Sequence, residues 1–175
     1  MRERAYILLE GDNDIRFYSS ILYPLLSMKY RIIHPWRYQK VKKEITSKFI
    51  DTAHSEGTCL FLHDFDNVRC FREAKSVLRK TWIQLLDEEI HVVVIEIESW
   101  YLAGLSPRSA AKIGISEEDF PQTNDVTKGV FLSLKPTNMT ETEYYQLFLL
   151  HFDLVKARQR NRSLDRFLRQ CIDNA

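Results

Sequence analysis

Ala5-Tyr6-Ile7-Leu8-Leu9-Glu10-Gly11-Asp12-Asn13-Asp14 and Thr58-Cys59-Leu60-Phe61-Leu62-His63-Asp64-Phe65-Asp66 share one pattern. Each is a short apolar run that ends on a carboxylate and gives way to polar residues. An apolar run of this length, bounded by turn signals, reads as a strand buried on both faces, which is the environment of a parallel sheet. Working outward, Tyr30-Arg31-Ile32-Ile33-His34 is a second strand, with Pro35 expected to end it. His91 to Ile97, with Val92, Val93, Val94 and Ile95 together, is a fourth.

Helical spacing fills the gaps between these strands. Asp12 or Asp14 offers an N-cap to a helix over 14–27, in which Ile15, Tyr18, Ile21, Leu22, Leu25 and Leu26 recur at the helical period. A second helix over 39–55 presents Val41, Ile45, Phe49 and Ile50 and stops at Gly57. A third carries Phe71, Ala74, Leu78, Trp82, Leu85 and Leu86. Strands alternating with helices predict an α/β fold with a doubly wound parallel sheet and right-handed crossovers. Past Leu105 periodicity weakens, and residues 106–140 hold three of the five prolines. Thr140-Glu141-Thr142-Glu143 is a capping box opening a helix to about residue 160, and Ser163 is expected to cap a last one. The expected organisation is a core over 1–105 and a mostly helical extension over 106–175 packed on it.

Composition narrows the function. A net charge of +1 gives no global attraction to nucleic acid, so any such binding must come from local patches. Cys59, Cys70 and Cys171 show no CxxC spacing and read as reduced, small apolar residues. No apolar run approaches the roughly 18 residues of a membrane span, so a soluble, cytoplasmic protein is expected.

Chemistry is expected where the strands end. In open parallel sheets, ligands bind outside the carboxyl ends of the strands. Glu10 ends the first strand, Asp64 and Asp66 the third, and Glu96 and Glu98 the fourth. Such acids repel one another unless protons or cations neutralise them. Oxygen ligands without paired histidines or cysteines favour magnesium or manganese over zinc. Any one acid alone would suit a helix cap or solvent; three strand ends together point to a metal site. For Glu10 and the aspartates to share an ion, strands 1 and 3 must be neighbours, which gives the strand order 2-1-3-4.

These residues resemble Toprim domains. Glu10-Gly11-Asp12-Asn13-Asp14 matches the family's E-G-x-x-D, and Asp64-Phe65-Asp66 its later D-x-D, one βα unit apart across residues 5–104. Glu96-Ile97-Glu98-Ser99-Trp100 resembles a segment of small Toprim-like proteins found in bacterial and phage-defence settings, related to overcoming-lysogenization-defect nucleases. The resemblance implies a Rossmann-like Toprim fold. It also implies a magnesium- or manganese-dependent nuclease, with Glu10 as general base or ligand, Asp64 and Asp66 as ligands, and Glu98 completing the set. Glu98 is preferred to Glu96 because alternate strand residues face opposite ways. Without a tyrosine-nucleophile, ATPase or zinc-binding domain, simple phosphodiester hydrolysis is the expected reaction.

Two other classes compete. One is a non-catalytic Toprim module that binds nucleic acid or a protein partner, including a second copy of the chain. The other is a haloacid-dehalogenase-type phosphatase built on Asp64-Phe65-Asp66-Asn67, although Val68 stands where that family has threonine and a βαβ unit precedes the loop. Basic segments supply the expected contacts to DNA or RNA: Lys40, Lys42 and Lys43 in one cluster, Arg158, Arg160 and Arg162 in another. His63 reads as a packed strand residue, and Lys128 as a cation that would stabilise the transition state.

Overall fold

A computed structural model describes residues 2–65 and 70–173. Asp66, a predicted metal ligand, and its neighbours Asn67, Val68 and Arg69 lie outside the described residues. The chain is an α/β protein with a four-stranded, all-parallel sheet: β1 (Arg2–Leu9), β2 (Tyr30–Arg37), β3 (Thr58–Phe65) and β4 (Ile90–Val94), in the order β2-β1-β3-β4. This is the order and Rossmann-like arrangement expected from the sequence. No helix among the described residues is long and apolar enough to cross a membrane.

Strand alternation divides the apolar residues between two layers. Ala5, Ile7, Leu9, Leu60, Leu62 and Val93 face one core, and Tyr6, Leu8, Cys59, Phe61, Ile90 and Val92 face the other. The second layer is covered by α3 (Lys43–Glu56) and α4 (Phe71–Thr81) through Ile50, Ala53, Ala74 and Leu78. The first is larger. It gathers α1 (Asp12–Phe17), α2 (Tyr23–Ser27), α5 (Glu98–Ala103) and five further helices: α6 (Pro107–Ile113), α7 (Lys128–Ser133), α8 (Glu141–Leu150), α9 (Leu154–Arg160) and α10 (Arg162–Leu168). Trp100, Tyr101, Phe131, Tyr144, Phe148 and Phe167 are buried together there, so residues beyond 105 complete the same core as β1.

Several boundaries differ from the sequence reading. Pro35 does not end β2, which runs to Arg37 with Pro35 opposite Ile7. On an edge strand, a residue whose N–H would face away from the sheet loses no ladder bond by being proline. The helix expected over 14–27 contains a π-turn at Tyr18–Leu22, where the Tyr23 N–H bonds the Tyr18 carbonyl, just before Pro24. The wider turn accommodates a residue that cannot donate. α4 stops at Thr81, leaving Leu86 exposed. The helix expected to run to 160 breaks at His151, and Asp153 caps α9 by accepting the Lys156 N–H at 3.0 Å. Asn161, not Ser163, caps α10: its Oδ1 accepts the N–H groups of Ser163 and Leu164 at 3.1 and 3.0 Å. Cys70 is exposed, while Cys59 and Cys171 are buried.

Gly104, after α5, is set by space and not by its backbone angles. A Cβ there would lie 2.1 Å from the Phe152 ring, which is held edge-on against Phe17 at 5.4 Å. Gly104→Ala is expected to cost roughly 2 kcal/mol, as overpacked core positions do, and to lower the melting temperature by several degrees in thermal denaturation.

Candidate metal centre

β4 is shorter than its apolar run suggests, and this shapes the site. It ends at Val94, and Ile95 takes φ 63°, a left-handed conformation rare for a β-branched residue. The strand ends there, the Ile97 N–H bonds Asp64 at the end of β3, and Glu98 sits in the first turn of α5 and not on a strand. The argument from strand alternation therefore does not apply to Glu96 and Glu98. What separates them is depth: Glu98 is buried to 2% exposure, whereas Glu96 accepts the backbone N–H of Lys128.

The result is a cleft of about 450 Å³ at the ends of β1, β3 and β4. Among the described residues, Glu10, Asp12, Asp14, Asp64, Glu96, Glu98 and Glu141 line it, against the cations Arg16 and Lys128. Of the predicted site residues, Glu10, Asp64 and Glu98 are thus brought together. Asp14, in the first turn of α1, joins them.

Each acid is held differently. Glu10 lies 3.0 Å from His63 Nδ1, and its Oε2 accepts the Asp64 N–H at 3.2 Å. Tyr38, buried behind them, places its hydroxyl 2.6 Å from His63 Nδ1 and donates to the Leu62 carbonyl at 3.1 Å. Burial pushes the Glu10 carboxyl up, but His63 and the Asp64 N–H outweigh it and leave the group below its ordinary value. It is held as a carboxylate. His63, read from sequence as packing, is a fixed partner of Glu10. Glu98 Oε1 accepts from Tyr145 at 2.5 Å and from Asn13 Nδ2 at 2.9 Å, so α8 and α1 both orient it.

Asp14 and Asp64 are the unusual pair. Asp14 Oδ2 accepts the Gly11 N–H at 3.1 Å and Asp64 Oδ2 accepts the Ile97 N–H at 3.1 Å. Their second oxygens, Asp14 Oδ1 and Asp64 Oδ1, are buried with no hydrogen-bond partner. Burial, reinforced by the charges of Glu10 and Glu98, pushes Asp14 up to about 7 against an opposing Gly11 N–H. Asp64 is pushed well above the carboxylate range, by burial first and then by Asp14, Glu10 and Glu98. A buried carboxylate oxygen without a donor is costly unless a proton or a cation meets it.

The donors fit a hard divalent cation: they are all oxygens, from separate elements, with two of them unsatisfied. No three of the described cleft acids bring a ligand atom within 4.8 Å of one another, so the arrangement is no closed protein cage. Magnesium is ordinarily held in such open settings, by one or two carboxylates with waters and substrate oxygens supplying the rest.

The basic clusters part ways. Arg160 is only 8% exposed and donates to the carbonyls of Phe120 and Ala103. Arg158 bridges Asp165 at 2.8 Å and Asp173 at 2.5 Å. Both are engaged within the helical extension, which leaves Arg162 as the fully exposed member of the three. Arg162 is exposed but lies beside Cys70 and Asn124, outside the cleft lining. Lys40, Lys42 and Lys43 are exposed and directly follow Gln39, which lines the cleft and whose N–H bonds the Glu10 carbonyl at 3.1 Å. Lys128 stands at the cleft as an exposed side chain.

Asp14, Asn13, Tyr38 and Tyr145 were not among the predicted site residues. The E-G-x-x-D match, which ends on Asp14, was a usable signal; nothing local in the sequence joins Tyr145 to Glu98.

No family model, curated protein or solved structure matches this chain.

Proposed function

We propose that the cleft is the active site of a magnesium- or manganese-dependent phosphodiester hydrolase of Toprim type, acting on DNA or RNA. The observation that carries this reading is the pair of buried, unpartnered oxygens on Asp14 and Asp64 at the carboxyl edge of a parallel sheet. Asp14 and Asp64 would hold the ion directly, with Glu98 meeting it through water. When bound, it would polarise a non-bridging phosphate oxygen and offset the charge that develops on the leaving oxygen.

The chain's own groups supply the rest. Glu10, kept ionised by His63 and the Asp64 N–H, takes a proton from the attacking water. His63 and Tyr38 fix its carboxylate, so the base meets the substrate already oriented. Tyr145 and Asn13 hold Glu98 toward the cleft. Lys128 and the Lys40, Lys42 and Lys43 segment offer positive charge to a backbone phosphate beside a site that is otherwise anionic.

The test is incubation of the purified chain with single- and double-stranded DNA and RNA, with Mg²⁺, with Mn²⁺ and with chelator. Cleavage that requires the divalent ion is the expected result. Tight polynucleotide binding without turnover would replace the enzyme by a binding module. Hydrolysis of small phosphomonoesters, lost on Asp64→Asn, would replace it by a phosphatase.

A further inference from the structure

The carboxyl edge of the sheet is not the only place where ligand-type side chains meet. At the opposite edge, α3 ends with His54 in its last turn, β3 begins with Thr58 and Cys59, and Glu89 directly precedes β4. The topology that gathers acids at one edge therefore gathers an imidazole, a thiol and a carboxylate at the other. Among the described residues, one ligand atom from each of His54, Cys59 and Glu89 lies within 4.8 Å of the other two.

We propose that His54, Cys59 and Glu89 form a second metal site, selective for Zn²⁺ or a similar transition-metal ion and independent of the cleft. A tetrahedral zinc ion with ordinary bond lengths of about 2.0–2.3 Å sets its ligand atoms roughly 3.3–3.6 Å apart. His54 Nε2 lies 2.9 Å from Glu89 Oε1, so the pair must open by only a few tenths of an ångström to admit the ion. Glu89 is already oriented: its Oε2 accepts the Leu86 N–H at 2.8 Å, the kind of outer contact that fixes a liganding carboxylate. Cys59 is buried to 2% exposure, while the His54 side chain is 31% exposed, so a fourth position on that side is open to water.

The chemistry of the donors sets the selectivity. Thiolate and imidazole favour zinc, cobalt or copper over magnesium, the reverse of the all-oxygen cleft. Without metal, burial first and then the Glu89 charge hold the Cys59 thiol protonated. Binding replaces the S–H bond by a metal–sulfur bond and releases that proton to solvent, while His54 carries its remaining proton on Nδ1. The ion would tie α3, β3 and β4 together at the base of the sheet.

Cobalt gives the readout, because a cobalt–thiolate bond adds a charge-transfer absorption that oxygen and nitrogen ligands do not. Metal-free full-length protein titrated with Co²⁺ should develop that band with one equivalent. Zn²⁺ should abolish it and excess Mg²⁺ should not, and saturating Zn²⁺ should raise the melting temperature. Cys59→Ser should remove the band. His54→Gln, at a partly exposed side chain where folding is not at risk, should weaken Zn²⁺ binding by ~100-fold, at least the loss seen when outer-shell partners are removed. Cys70→Ser, at the exposed thiol, should change nothing. No band in the wild type, a band unaltered by His54→Gln, or a band lost with Cys70→Ser would each overturn the site.

Discussion

Glu10→Gln is expected to lower turnover on a polynucleotide by roughly 10²- to 10⁴-fold, the range for removal of a positioned general base. The amide keeps the shape of the carboxylate and can still accept the Asp64 N–H, which now lies 3.2 Å from Oε2. It cannot take a proton from water. If Glu10 supplies the base and not the main hold on the ion, as proposed, substrate KM and Mn²⁺ affinity should change far less than kcat. The melting temperature should stay within a few degrees of the wild type. Single-turnover cleavage at saturating Mn²⁺ reads the effect directly. A variant that retains more than about a tenth of the wild-type rate would remove Glu10 from the chemistry.

The second large effect concerns Asp14, and its two parts have opposite sign. Its carboxyl is pushed up to about 7 in the folded chain from an ordinary value of 3.8, by burial before all else. The folded state then holds a proton that the unfolded state releases between those values. The contribution to stability is greatest below pH 3.8 and is lost as pH rises toward 7. At about 1.4 kcal/mol per pH unit, the metal-free protein should lose up to roughly 4 kcal/mol across that window. Asp14→Asn removes the titration and places an amide N–H₂ near the carboxylates of Glu10 and Glu98. We expect the metal-free variant to melt roughly 5–15 °C above the wild type at pH 8. The same substitution should weaken Mn²⁺ binding at least ~10-fold, measured by calorimetry. Destabilisation at pH 8 together with unchanged Mn²⁺ affinity would mean that Asp14 neither carries the strain nor meets the ion. Added Mn²⁺ should itself flatten the pH dependence of the wild type, since a bound cation does what the proton does at lower pH.

Much of the frame was legible because buried parallel strands and amphipathic helices leave strong periodic signals. The runs at 5–9 and 58–63 both lie inside strands of the sheet, and the strand order follows from requiring their acidic ends to meet. The end of β4 was not legible. Val92, Val93, Val94 and Ile95 form one β-branched run, yet β4 stops at Val94 and Ile95 takes a positive φ, a choice that local propensity opposes. The partners of Arg158 and Arg160 were not legible for a related reason. A charge cluster in sequence says nothing about which guanidinium will find Phe120 and Ala103 carbonyls or an Asp165–Asp173 pair once α9 and α10 dock.

By itself, the sequence determined the alternation of strands and helices, the carboxylates at the strand ends and the capping box at Thr140, because each depends on neighbours within a turn or two. Tertiary structure decided what depends on distance along the chain. It decided that Tyr145 reaches Glu98 across 47 positions, that His63 and Tyr38 brace Glu10, and that Asp14 and Asp64 each keep one oxygen buried without a donor. It also brought His54, Cys59 and Glu89 together at the far edge. The physical reason is the same in each case: burial and electrostatic environment belong to packed surroundings, and those surroundings are assembled from residues that are remote in the chain.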